Sequence, residues 1–214
     1  MTLDLFADDR KAIILDDGAM LLGSFALEQG EALVAAIEDI AVAAPFRHLV
    51  TPGGKAMSVA MTNTGQLGWV SDRRGYRYEP IDPTTGKNWS AMPHCFAKLA
   101  HDAALAAGYS DFRPDACLVN RYAPGSRLTL HQDRDEGNYD WPIVSVSLGV
   151  SATFLWGGKE RSDKTRRIAL QHGDVVVWGG PSRLNFHGIA DMKPGEHPLT
   201  GDLRYNLTFR KASK

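Results

Sequence analysis

The sequence predicts a mixed, mainly β fold: a sandwich, jelly roll or barrel in its second half, preceded by helices and a long irregular segment. Three observations predict it. Seven short candidate strands crowd into residues 116–210. Gly- and Pro-bearing turns punctuate them, and helical spacing of apolar residues is confined to the first half.

In chain order, Leu33, Val34, Ile37 and Ile40 recur at helical spacing and predict a helix over 26–43, locally weakened by Gly30. Residues 51–86 fit no regular core element well. Gly65, Gly68 and Gly75 recur there among Trp69, Tyr76, Tyr78 and the basic group Arg73, Arg74 and Arg77. Long irregular segments of this kind are often lids or binding loops. Phe96, Leu99, Ala100 and Ala103 predict a second helix over 93–107, stopped by Gly108. The strands follow as 116–122, 143–150, 153–156, 167–170, 174–178, 184–189 and 203–210.

The chain has 214 residues, 43% hydrophobic content, 23% charged residues and a formal net charge of −1. That suffices for one full core and predicts an ordinary soluble globule. No broad basic excess advertises nucleic acid, so any such contact must come from a local patch or pocket. The N-terminus does not read as a secretory signal, and no apolar run is long enough to span a bilayer. Cys95 and Cys117 read as buried thiols of a reducing cytoplasm rather than as a disulfide.

The chemistry starts from His131-Gln132-Asp133. On a strand, residues two apart share a face, so this spacing aims an imidazole and a carboxylate at one point. Alone the motif is weak, because the acidic run through Glu136 equally describes a solvated loop. His187, on a strand read as turning Asn185 and His187 one way and Leu184 and Phe186 the other, supplies a second imidazole. His172, in a Gly-Asp turn, is the weaker competitor. Two His and one carboxylate hold Fe(II) on one side and leave the other side open. Zinc takes the same donors but leaves the arginines downstream unexplained. Arg204, Asn206, Thr208 and Arg210 alternate with Tyr205, Leu207 and Phe209. Such a polar face suits the solvent side of an edge strand, or a fork for the two carboxylates of a 2-oxo diacid. Asn120 and Tyr122, on one face of an earlier strand, supply further donors.

Asn120-Arg121-Tyr122, the run His131 to Glu136, His187 and the run Arg204 to Arg210 together resemble the bacterial AlkB proteins, Fe(II)/2-oxoglutarate-dependent nucleic-acid demethylases. Pro114 to Leu118, Pro142 to Gly149, His172 to Gly180 and Val50 to Asn63 share the likeness, which covers most of the chain beyond the first helix. Position 134 departs from it, carrying Arg where the family commonly has Lys. The resemblance implies a double-stranded β-helix, or jelly-roll, core over 113–214. Residues 1–112 would form an N-terminal helical extension and nucleotide-recognition lid, the whole being one compact unit. It implies His131, Asp133 and His187 as iron ligands. Arg204 and Arg210 would hold 2-oxoglutarate with Asn120, Tyr122 and Asn206. Trp69 would stack on the target base opposite His131, with Tyr76, Tyr78 and Arg161 on base or backbone and Asp135 at the base edge. Dioxygen is the second co-substrate. The expected partner is alkylated single- or double-stranded DNA, with RNA as a further candidate, acted on by a cytoplasmic monomer without membrane contact. A related oxygenase of proteins or small molecules, and a non-catalytic nucleic-acid-binding module, are the competing functions.

Overall fold

The computed structural model describes residues 11–213. The N-terminal stretch 1–10, and with it the reading of no signal sequence, lies outside them. Two antiparallel sheets carry the fold. The first strands are β1 (Ile13–Asp16), β2 (Ala19–Leu22), β3 (Arg47–Val50), β4 (Ala56–Gly65), β5 (Gly68–Asp72) and β6 (Gly75–Glu79). Later come β7 (Ala116–Tyr122), β8 (Leu128–His131), β9 (Ile143–Gly149), β10 (Ala152–Trp156), β11 (Arg166–Leu170), β12 (Val175–Trp178), β13 (His187–Ile189) and β14 (Arg204–Arg210). The helices are α1 (Gly30–Ala43) and α2 (His94–Ala106). The eight-stranded sheet runs β1-β2-β12-β9-β14-β7-β4-β3, the four-stranded sheet runs β11-β10-β13-β8, and β5-β6 forms a separate hairpin.

Strand parity divides the large sheet into two faces. Val119 of β7, Val144 and Val146 of β9, Val175 and Val177 of β12, and Leu207 and Phe209 of β14 pack on Leu33, Ile37, Phe96 and Leu99 of the helices. Residues one step away (Leu118, Tyr122, Ile143, Val176, Trp178) face the four-stranded sheet and join Phe154, Trp156 and Ile189 in a second core. Both faces are covered, so the central strands are buried end to end. This is the jelly-roll arrangement expected.

Several expectations need correction. Residues between the helices are not irregular: β4 is a long strand paired with both β3 and β7. Its pattern was obscured because Thr62, Asn63 and Thr64 are buried yet polar. Thr62 donates to the Ala44 carbonyl at the end of α1, Thr64 donates to the Ser90 carbonyl, and Asn63 serves the hairpin. The large sheet therefore draws β1 to β4 from the residues assigned to an N-terminal extension. Gly30 begins α1 rather than weakening its interior, and a Cβ there would run into the imidazole of His172. The strand expected over 184–189 is regular only from His187 onward. Arg204–Arg210 lies between β7 and β9, so it is not an edge strand.

His172, the weaker competitor, forms a stacked pair with His197, their ring centroids 4.4 Å apart. His172 Nδ1 accepts from the Gly149 amide at 3.0 Å, which requires the neutral ring. Burial, reinforced by the adjacent His197, pushes the His172 pKa down to about 4 from an ordinary 6.5. A depressed histidine pKa contributes stability that is complete above about 6.5 and is lost as pH falls toward the folded value. The thermal midpoint of the parent should therefore fall faster between pH 6.5 and 4.5 than that of His172→Asn, whose amide oxygen can still accept from Gly149. Parallel melting curves would refute this.

Candidate active site

The inner faces of the two sheets open into a cavity of about 750 Å³. Its floor comes from the central strands, whose parity turns Asn120, Tyr122, Ser145, Arg204, Asn206, Thr208 and Arg210 inward. At one wall stand His131, Asp133 and His187, with one potential ligand atom from each lying within 4.8 Å of the others. His131 and His187 are direct cross-strand partners on β8 and β13. Asp133 does not share their strand, because β8 ends at His131 and the carboxylate arrives from the loop beyond. The sequence spacing brought the right groups together for a partly wrong reason.

Each imidazole is oriented by its own backbone. His131 Nδ1 donates to the Thr129 carbonyl at 2.9 Å and His187 Nδ1 to the Asn185 carbonyl at 3.0 Å. Both Nε2 atoms are thereby left as acceptors facing Asp133, at 3.7 and 3.8 Å. Fixing the ring tautomer from behind is how a metal-binding imidazole is prepared. Burial, reinforced by the neighbouring His131, pushes the His187 pKa down to about 4, so the ring is neutral and available. Burial opposes the charge of Asp133. The Arg210 guanidinium and the two imidazoles outweigh it and hold the carboxyl well below its usual range. Arg210 donates Nε and Nη2 to Asp133 Oδ2, at 3.0 and 2.6 Å, leaving Oδ1 toward His131. The donor set fits an ion such as Fe(II).

Gly188 belongs to the same construction. A Cβ there would sit 2.5 Å from the Leu128 carbonyl, so glycine lets β13 approach β8 and brings the two imidazoles together.

On the opposite wall, Arg204 is 1% exposed. Its Nη2 donates to Ser147 at 3.0 Å and its guanidinium lies 5.0 Å over the Tyr122 ring. Its Nε and Nη1 have no protein acceptor, and neither has the Asn120 amide oxygen a donor. A buried guanidinium short of acceptors is costly and suits the carboxylate of a bound diacid. Asn206 is more fully engaged, donating to Ser145 at 2.8 Å and to the Val146 carbonyl at 3.0 Å while accepting from Asn120 and Thr208.

The mouth carries Trp69, Tyr76, Asp135 and Arg161. Trp69 stacks on Tyr76, with centroids 5.5 Å apart and planes 13° apart, and its indole N–H donates to Asp135 at 2.8 Å. Asn63 fixes the Trp69 backbone through two hydrogen bonds of 2.9 and 3.0 Å. Arg161 donates to the Leu130 carbonyl at 2.8 Å and lies over Phe186, which faces the cavity rather than the core. Tyr78 is placed differently from expectation: it does not line the cavity but donates its hydroxyl to Glu136 at 2.7 Å. Arg74 and Arg77 are occupied by Asp72, and Arg166 by Asp16, which removes them from the free basic surface. Arg73, Lys159, Lys164 and Arg167 are exposed.

Two residues of this region carried no local signal in the sequence. Glu136 ends an acidic run that reads as solvated, yet it is 6% exposed. Arg183, 3% exposed, follows a Gly-Gly-Pro turn and donates to the Asp133 carbonyl at 2.7 Å. Only their partners, distant in sequence, mark them out.

Because Arg204 lacks acceptors, Arg204→Met should raise the stability of the ligand-free protein by about 1–3 kcal/mol. The same change should abolish the rise in melting temperature that 2-oxoglutarate gives the parent. Loss of ligand-free stability in the variant would count against an acceptor-starved guanidinium.

Comparison with known proteins agrees with this geometry. Residues 18–210 match the family model of the 2OG-Fe(II) oxygenase superfamily. The alpha-ketoglutarate-dependent dioxygenase AlkB of Escherichia coli (strain K12) is 59% identical over 213 residues, covering 99% of each chain. The protein of the same name from Salmonella typhimurium is 56% identical over 213 residues, again 99% of each. The solved structure of OsALKBH1 superposes with a TM-score of 0.83 at 31% identity, over 94% of this chain and 99% of that one. With a wall of potential metal ligands, a floor bearing buried arginines and this likeness along its whole length, the chain belongs to the 2OG-Fe(II) oxygenase superfamily, within the AlkB dioxygenases, and is an Fe(II)/2-oxoglutarate-dependent enzyme.

Proposed function

We propose that this enzyme removes N-alkyl groups of the 1-methyladenine and 3-methylcytosine type from DNA, single- or double-stranded, and from RNA, as direct repair of alkylation damage. One observation carries the reading. The cavity that gathers His131, Asp133 and His187 is also lined by a Trp69 indole held by Asp135. An aromatic side chain lining the same cavity offers a stacking platform for a planar base, worth about 1–3 kcal/mol per stacked base.

When bound, Fe(II) with 2-oxoglutarate and dioxygen supplies the oxidant that hydroxylates a methyl carbon on a ring nitrogen. One oxygen atom goes to succinate, formed with carbon dioxide, and the other to the methyl carbon. The hydroxymethyl product then splits into formaldehyde and the unmodified base. His131, Asp133 and His187 would hold the metal. Arg204 and Arg210 would take the two carboxylates of 2-oxoglutarate, with Asn120, Tyr122 and Asn206 lining the space between. Trp69 stacks on the flipped base, Tyr76 and Arg161 flank the mouth, and Asp135 lies at the base edge. Methylation of the pairing edge lowers the cost of taking the base out of its stack. A carboxylate at that edge favours the cationic lesion over its neutral parent in a partly dry pocket. The two cysteines are free thiols, as a cytoplasmic enzyme would keep them. No helix among the described residues is long and apolar enough to cross a membrane. We take the working unit to be the monomer.

Mass spectrometry of methylated DNA and RNA oligonucleotides tests the reading. Formaldehyde and demethylated product should appear only with 2-oxoglutarate, and His187→Ala should abolish both. Release from a methylated peptide instead would assign a protein substrate, and binding without turnover would leave a recognition module. Asp135→Ala should lower kcat/KM roughly tenfold more on cationic lesions than on neutral ones. Equal losses on the two classes would defeat the charge argument.

A further inference from the structure

The hairpin presents Trp69 and Tyr78 as direct cross-strand partners. Each reaches one of two adjacent carboxylates on the loop after β8. The Trp69 indole donates to Asp135, and the Tyr78 hydroxyl donates to Glu136 Oε1 at 2.7 Å. Asp135 is exposed at the mouth, whereas Glu136 is buried. Glu136 also takes Arg183 Nη2 at 3.1 Å and Arg210 Nε at 3.3 Å. Those two arginines hold Asp133 from both sides, Arg183 through its carbonyl and Arg210 through its carboxylate. Burial holds the Tyr78 hydroxyl protonated, so it remains a donor.

We infer that Tyr78 and Glu136 are positioning residues that couple the seating of the hairpin to the setting of Asp133 and Arg210. The inference rests on the reading of Trp69 as the base-stacking residue. A base entering beneath Trp69 displaces that ring, and Tyr78, opposite on the neighbouring strand, moves with it. The motion reaches Glu136 through a single hydroxyl. Glu136 meets two guanidiniums that both also donate to Asp133, Arg183 being tied to the Trp141 carbonyl as well, so a shift in Glu136 redistributes both on the metal-ligand residue. Oxidant formation is thereby tied to an occupied base slot.

Tyr78→Phe keeps the ring and its packing and removes only the hydroxyl. With Fe(II), 2-oxoglutarate and a 1-methyladenine oligonucleotide, succinate formed per formaldehyde released should rise about three- to tenfold. In the Co(II)-substituted protein, the oligonucleotide-induced change in the visible spectrum should be lost, while Co(II) binds within about twofold of the parent. Glu136→Gln should give the same loss, and the double variant no more than either single one. An unchanged product ratio and spectral response in Tyr78→Phe would overturn the coupling, as would losses that multiply in the double variant. If the parent releases no formaldehyde, the base-slot reading fails and takes the coupling with it. If the parent turns over and Tyr78→Phe matches it in both readouts, only the coupling fails.

Discussion

The pairing of Arg210 with Asp133 is the contact on which the site depends. Burying either charge alone would cost several kcal/mol, and burying both is tolerable only with close geometry and every remaining donor satisfied. The two short hydrogen bonds from Arg210 to Oδ2 supply that close geometry, and Glu136 Oε1 lies 3.3 Å from the same Nε. The pair does more than neutralise. Anchoring Oδ2 leaves Oδ1 turned toward His131, while His187 Nε2 lies 3.8 Å from Oδ2 itself. Arg183 completes the arrangement by holding the same residue through its main chain. Within this buried group two carboxylates face Arg183 and Arg210, which leaves Arg204 as surplus positive charge. A divalent metal and a dicarboxylate entering together leave that balance unchanged.

The fold supplies this geometry through period-two alternation in strands buried on both faces. β14 shows it best: Tyr205, Leu207 and Phe209 join the helix-side core, and Arg204, Asn206, Thr208 and Arg210 join the cavity. A one-residue slip in register would place four polar side chains in the helix core. Seven paired residues with β7 and six with β9 oppose such a slip.

Most of this was legible in the sequence. Short strands with glycine and proline between them gave the architecture. The alternation of β14 gave the polar wall of the cavity, and it is His187, not His172, that the fold gathers with His131 and Asp133. What escaped notice has a common cause. Asp133 shares no strand with His131. Glu136 and Arg183 sit in segments whose local composition reads as solvated loop or turn, and their burial comes from chain far away. β4 was missed because its polar residues serve the end of α1, the segment before α2 and the hairpin, which erases the alternation. Trp69 and Tyr78 looked alike as aromatic residues near basic ones, and only their partners on the loop after β8, Asp135 and Glu136, separate their surroundings. Local pattern reports the face a strand turns to its neighbours, not the partner a side chain finds across the molecule.

β14 is hydrogen-bonded on both edges at the middle of the largest sheet, while the β5-β6 hairpin is a two-stranded piece held to the rest by side-chain ties. Opening free energies across a protein range from near zero at loosely tied segments to the full unfolding value at central strands. The half of the cavity proposed for the small, invariant co-substrate thus belongs to the part of the chain that costs most to open. The half that must accept a bulky polymer belongs to a part able to open alone. Alteration of the hairpin can retune which base is admitted without disturbing the floor, so substrate range and catalytic competence can evolve on separate surfaces of one cavity.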